Sequence, residues 1–175
     1  MMIQRSCTVL ALLFLMAVWG CGYHLPGGEG DRLPGGVRVI YIALFDNRTS
    51  EPFLENLVSN AVIQRFSRAL NVEVVEDPKA AEAILSGTVS AYRSSASAYS
   101  GREDDITEYR TSITCQAVLR AVDDNRVLWK GSASWSDEYQ ASLNRGLEES
   151  GEAISQQEIS VRLADELFNR ITANF

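Results

Sequence analysis

The side chains of this 175-residue chain that could do chemistry are Cys21, His24, Cys115, the acidic run Glu103-Asp104-Asp105, and the pair Trp129 and Trp135. His24 is the only histidine. A Ser/His/Asp or Cys/His arrangement would need it to fold back from a glycine-rich stretch, and geometry rather than inventory makes a triad. The sequence therefore offers no catalytic residue. Glu103-Asp104-Asp105 lacks the glycine and closing glutamate of a calcium loop. No His/Cys/Asp/Glu cluster has the spacing of a zinc site, so neither a metal nor a diffusible cofactor is expected. The glycines at 27, 28, 30, 35 and 36 have no strand before them, no helix after them and no Gly-Lys-Ser/Thr ending, which rules out a phosphate loop. Trp129 and Trp135 could stack a ligand, but they share the phase of Ala133, which favours packing against a core or a partner. Cys115 alternates with Ile113, Ala117 and Leu119 and reads as a buried, inert thiol.

Cys21 differs from the rest, because the residues before it form a leader. Arg5 supplies a positive start, residues 8–19 are an almost uncharged apolar run, and Gly20 is small. That is a signal peptide, residues 1–20. The run is too short for a spanning helix, which needs roughly 20 apolar residues. A cysteine directly after the small residue is what a bacterial lipoprotein signal requires: its thiol receives a diacylglycerol, the leader is cut away, and the new amino group takes an N-acyl chain. Ordinary secretory cleavage nearby, leaving Cys21 a free thiol, is the alternative. Acyl chains contribute about 0.8 kcal/mol per buried CH₂, and two or more anchor a protein stably without a membrane span. Gly22 stands where an aspartate would retain an enteric lipoprotein in the inner membrane, so the expected address is the outer membrane.

The mature chain of 155 residues suits one domain. Loss of Arg5 leaves 15 cations against 23 acids, a net charge of −8. Bulk attraction to nucleic acid is therefore excluded as a function. Cys7 departs with the leader and Cys21 is acylated, so Cys115 has no partner and no internal disulfide forms.

The elements that must position any site follow from periodicity. Residues 21–36 read as a flexible Gly/Pro tether, and residues 37–175 as the domain. Residues 37–44 predict a buried central strand. Residues 45–52 form a turn, with Ser50 as N-cap and Pro52 in the first turn of a helix over 52–70. Residues 72–75 return as a strand parallel to the first. Leu85, Gly87, Val89 and Ala91 alternate with Ser86, Thr88, Ser90 and Tyr92, a half-buried strand. Residues 93–101 continue it toward a charged tip at 102–105. Residues 109–121 and 127–136 pair through the turn Asp123-Asp124-Asn125-Arg126. A polar loop over 139–151 leads to a last helix over 152–173. The expected fold is α+β, a two-layer sandwich with two helices on one face of a four- to five-stranded mixed sheet. The other face, rich in Ser and Thr, stays open to solvent or a partner.

The order of these features resembles the LptE-type lipopolysaccharide-assembly lipoproteins of the Gram-negative outer membrane. Cys21-Gly22-Tyr23-His24-Leu25 looks like that family's mature start. Phe45-Asp46-Asn47-Arg48-Thr49-Ser50-Glu51-Pro52 looks like its Phe-x-Asn-x-Thr-x-Glu-Pro motif before the first helix, and Glu108-Tyr109 and the terminal helix also match. The resemblance covers the whole mature chain. It implies a non-enzymatic subunit on the periplasmic side of the outer membrane. There it would plug the LptD β-barrel, assist its assembly and help pass lipopolysaccharide to the outer leaflet. It also implies that basic side chains near one end of the sheet contact lipopolysaccharide. Arg102 and Arg145 are the candidates, since guanidinium forks match phosphate oxygens. Ordinary solvated arginines paired with nearby acids are the competing reading. The competing function is a periplasm-facing lipoprotein that binds and regulates a cell-wall enzyme.

Overall fold

The computed structural model describes residues 32–99 and 106–173. Cys21, His24, Arg102 and the acidic run 103–105 lie outside the described residues. In chain order the elements are β1 (Val39–Ile42), β2 (Asp46–Asn47), α1 (Leu54–Ser67), β3 (Glu73–Val75), β4 (Ala83–Tyr99), β5 (Ile106–Ala121), β6 (Val127–Gln140) and α2 (Arg145–Thr172). Single 3₁₀ turns sit at Pro34–Gly36 and Pro78–Ala80. One mixed sheet runs β3-β1-β4-β5-β6, and β2 pairs separately with β4. The pairings β1/β3, β1/β4 and β2/β4 are parallel, whereas β4/β5 and β5/β6 are antiparallel. This is the expected α+β arrangement, with the short β2 added.

Both helices lie on one face. From α1, Leu54, Val58, Val62 and Phe66 are buried, and from α2 Ile159, Leu163, Leu167, Phe168 and Ile171 meet them. The helices join through Phe66 and Phe168, edge to face at 5.0 Å between centroids. Arg65 lies 3.6 Å from the centre of the Phe168 ring and pairs with Asp165 at 2.9 Å. From the sheet come Ile40, Ile42, Leu85, Val89, Ile113, Cys115, Leu119 and Trp129. The ring of Phe45 covers Gly87 so closely that a methyl group there would lie 2.3 Å from a ring carbon. Glycine is therefore required at 87.

The boundaries depart from the sequence reading for identifiable reasons. Ser50 is not the N-cap, and Pro52 is not helical. Asn47 takes over the turn: its Oδ1 accepts from the Thr49 N–H and hydroxyl at 3.0 and 2.8 Å, and its Nδ2 donates to the Glu51 carbonyl and the Glu55 carboxylate at 2.7 and 2.9 Å. That loop holds Phe53 at φ 65°, a left-handed backbone costing a non-glycine residue roughly 1–3 kcal/mol. α1 consequently starts at Leu54. It also stops at Ser67, short of the expected end, so Leu70 falls outside the helical phase and is exposed.

Order at the N-terminal side reaches upstream of the expected boundary at 37. Leu33 and Pro34 are buried, and Gly35 lies against Leu128 near the start of β6. At the other side of the chain, the expected loop over 139–151 is replaced by strand as far as Gln140 and helix from Arg145.

Candidate functional site

β4 has 17 residues and β5 has 16, about 50–55 Å at roughly 3.3 Å per residue. α1, with 14 residues, spans only about 21 Å at 1.5 Å per residue. The distal halves of β4, β5 and β6 therefore run past α1 as a three-stranded ribbon, along whose inner face the 28-residue α2 extends as far as Tyr139. The open face of β4, β5 and β6 carries the register rows Thr88-Gln116-Ser132, Arg93-Ser112-Ser136 and Ser95-Arg110-Glu138. The Thr114 and Ser134 hydroxyls bond each other at 2.9 Å, and Arg110 Nε donates to Glu138 at 2.9 Å. The face is thus covered with hydroxyls and locally paired charges.

The distal end is set by the last pairings, Tyr99 with Ile106 and Glu108 with Gln140, and by the Ala141 N–H donating to the Thr107 carbonyl at 3.0 Å. Asn144 then caps α2, its side chain accepting from Gly146 N–H at 3.0 Å. Arg145 is the first residue of that helix rather than a loop residue. It is paired with Glu149 at 2.9 Å and its side chain is 91% exposed. A cation there opposes the positive end of the helix dipole, and Glu149 offsets the opposition. An exposed i,i+4 pair is worth only about 0.3–0.5 kcal/mol, so the guanidinium is readily available to another anion. Leu143, Leu147, Tyr99 and Ile106 add exposed apolar surface at this same end. Leu33 and the 3₁₀ turn after it pack near Leu128, at the beginning of β6 and so at the opposite end.

The tryptophans do not form a pair. Trp129 is buried with its indole against Gly131, while Trp135, on edge strand β6, is 42% exposed. Cys115 is fully buried, and burial pushes its thiol up to about 11. It is thus inert at neutral pH.

One polar cluster was missed by the sequence reading. A bulge between Val89 and Ala91 shifts the alternation, so that Tyr92 lies opposite Ile113 on the helix-covered face. There the Tyr92 hydroxyl donates to Glu152, and the Gln156 amide donates at 3.1 Å to both Tyr92 and Glu51. Burial, with Glu152 accepting the phenol proton, raises the Tyr92 pKa well above its ordinary value. A tyrosine closing an otherwise Ser/Thr register was the available signal. The bulge itself leaves no mark in the alternation.

A family model described as LptE, lipopolysaccharide-assembly, matches residues 37–171. No curated protein matches the chain in sequence. Among solved structures, lipoprotein B of Nitrosomonas europaea is similar at 14% identity and TM-score 0.60, over 87% of this chain and 92% of its own. A protein of Xanthomonas campestris is similar at 13% and 0.56, over 85% and 89%. PelC of Paraburkholderia phytofirmans, solved as a dodecamer, is similar at 15% and 0.51, over 83% and 95%. At these identities the structures share the fold alone.

Proposed function

Because the chain belongs to the LptE lipopolysaccharide-assembly family, we propose that it is a non-enzymatic outer-membrane lipoprotein, anchored at the periplasmic face through acylated Cys21. Its domain occupies the LptD β-barrel as a plug, assisting barrel assembly and the insertion of lipopolysaccharide into the outer leaflet. The family match over residues 37–171 carries this reading. The hydroxyl-rich open face of β4, β5 and β6 supports it, since large barrels have polar lumens. No helix among the described residues is long and apolar enough to cross a membrane, so the membrane connection in this reading is made by the acyl chains.

The polarity of the domain adds to the picture. The chain enters the fold beside Leu33 and Leu128, whereas Arg145 sits beyond the far ends of β5 and β6. Arg145, at the end of the sheet away from Leu33, and Arg102 are the proposed contacts to lipopolysaccharide phosphates. Replacing both, Arg102→Glu with Arg145→Glu, should weaken binding of purified lipopolysaccharide about tenfold or more, as loss of charge-assisted hydrogen bonds would. Capture of the barrel should stay intact. Unchanged lipopolysaccharide affinity would remove both arginines from the site.

A further inference from the structure

α2 is not one uniform helix. From Ser155 onward each turn buries an adjacent pair, 155/156, 159/160, 163/164, 167/168 and 171/172. Over the ten residues 145–154 none is buried. That first part contains Gly146 and Gly151, both poor helix formers beside alanine. Leu147 and Ile154 are exposed apolar side chains. At the junction the Ser155 hydroxyl is buried with no hydrogen-bond partner, a further local cost to the helix.

Two contacts tie this segment down. Gly151 lies on Tyr139, where an added methyl would come within 3.1 Å of the ring, and Tyr139 is stacked on Tyr109 at 5.5 Å. At the very next residue of α2 the Tyr92 hydroxyl donates to Glu152, while Gln156, about one turn further on, bridges Tyr92 and Glu51. Glu51 belongs to the loop organised by Asn47, so the cluster links the bulged strand, that loop and the helix at one point.

We propose that residues 145–154 form a hinged strap lying over the Tyr109–Tyr139 pair and fastened at its root by Tyr92, Glu152, Gln156 and Glu51. Lifting it uncovers a two-tyrosine floor on the inner face of the ribbon and swings Arg145 away from the ribbon end. The body of α2, from Ile159 to Ile171, stays packed on α1. The bulge at Ser90 is what makes the fastening possible, because without it Tyr92 would point to the open face.

Amide hydrogen exchange on the mature lipidated protein in detergent tests this, since locally opening segments exchange independently of the global core. Amides of residues 149–155 should exchange at least about tenfold faster than those of 159–171. Tyr92→Phe, which deletes only the hydroxyl, should accelerate 149–155 by a further factor of about ten and leave 159–171 unchanged. Glu152→Gln, which keeps an acceptor for the phenol, should retain most of the protection. Gly146→Ala, with nothing nearer its added carbon than Asn144 Oδ1 at 3.5 Å, should slow the strap alone. Equal protection of the two segments in the wild-type protein overturns the proposal. So does an effect of Tyr92→Phe that is absent or spread equally over both segments.

Discussion

Phe45→Ala is expected to destabilise the domain by about 3–5 kcal/mol, the usual loss for a fully buried phenylalanine and a large part of the stability of a domain this size. Phe45 is 1% exposed, and its ring seals the space over Gly87 between the sheet and the helices. Its backbone N–H donates to the buried Ser59 hydroxyl at 2.8 Å, which fixes the chain direction where β1 gives way to the Asn47 loop. Gly87→Ala attacks the same contact from below, forcing a carbon to within 2.3 Å of the ring, and overpacking of this kind costs about 1–3 kcal/mol. The two losses should not add. Once the ring is gone the alanine at 87 has room, so the double variant should recover about 0.5–3 kcal/mol relative to the sum. Urea unfolding of the four proteins measures this. Strict additivity would mean that Phe45 and Gly87 do not constrain each other.

The second large effect concerns Cys21→Ser. Serine cannot take the thioether-linked diacylglycerol, so the acyl chains, at about 0.8 kcal/mol per buried CH₂, are lost together. The lipidated protein should float with phosphatidylethanolamine vesicles, and the variant should remain almost wholly in the soluble fraction. Thermal unfolding should be unchanged, because the packed domain begins at about Leu33, twelve residues after Cys21. A variant that floats like the wild type would end the anchor reading.

Much of this fold is legible in the sequence where local signals and tertiary packing agree. The apolar residues 54, 58, 62 and 66 predict the packing face of α1, and the parallel return at 73–75 follows from its length. The Asp123–Arg126 turn joins β5 to β6 as read. What escaped has physical causes. The first turns of α2 carry Gly146, Ser150 and Gly151 and bury nothing, so neither propensity nor periodicity marks them as helix. The bulge before Ala91 reverses the faces of the remaining strand, carrying Tyr92 inward against the alternation that assigned it outward. Ser50 had the right chemistry for a cap, but Asn47 captured the turn three residues earlier. Trp135 keeps the phase of Trp129 and is nevertheless 42% exposed, because it stands on edge strand β6 with a strand neighbour on one side only.

For the site, the sequence placed Arg145 correctly in order but on a loop, whereas it opens a helix. The end-to-end separation between chain entry and ribbon tip emerges only from the sheet register, which no local pattern encodes. The Tyr92 cluster depends on residues 51, 92, 152 and 156, too far apart in sequence to read as a motif.

The most direct test is affinity capture of the tagged protein from native outer membranes in mild detergent, with the co-purifying partner identified by mass. The LptE-type reading predicts recovery in a stable complex with the LptD β-barrel, at near-equal amounts of the two chains. Recovery as a free monomer, or with a periplasmic cell-wall enzyme instead of a barrel, would contradict it.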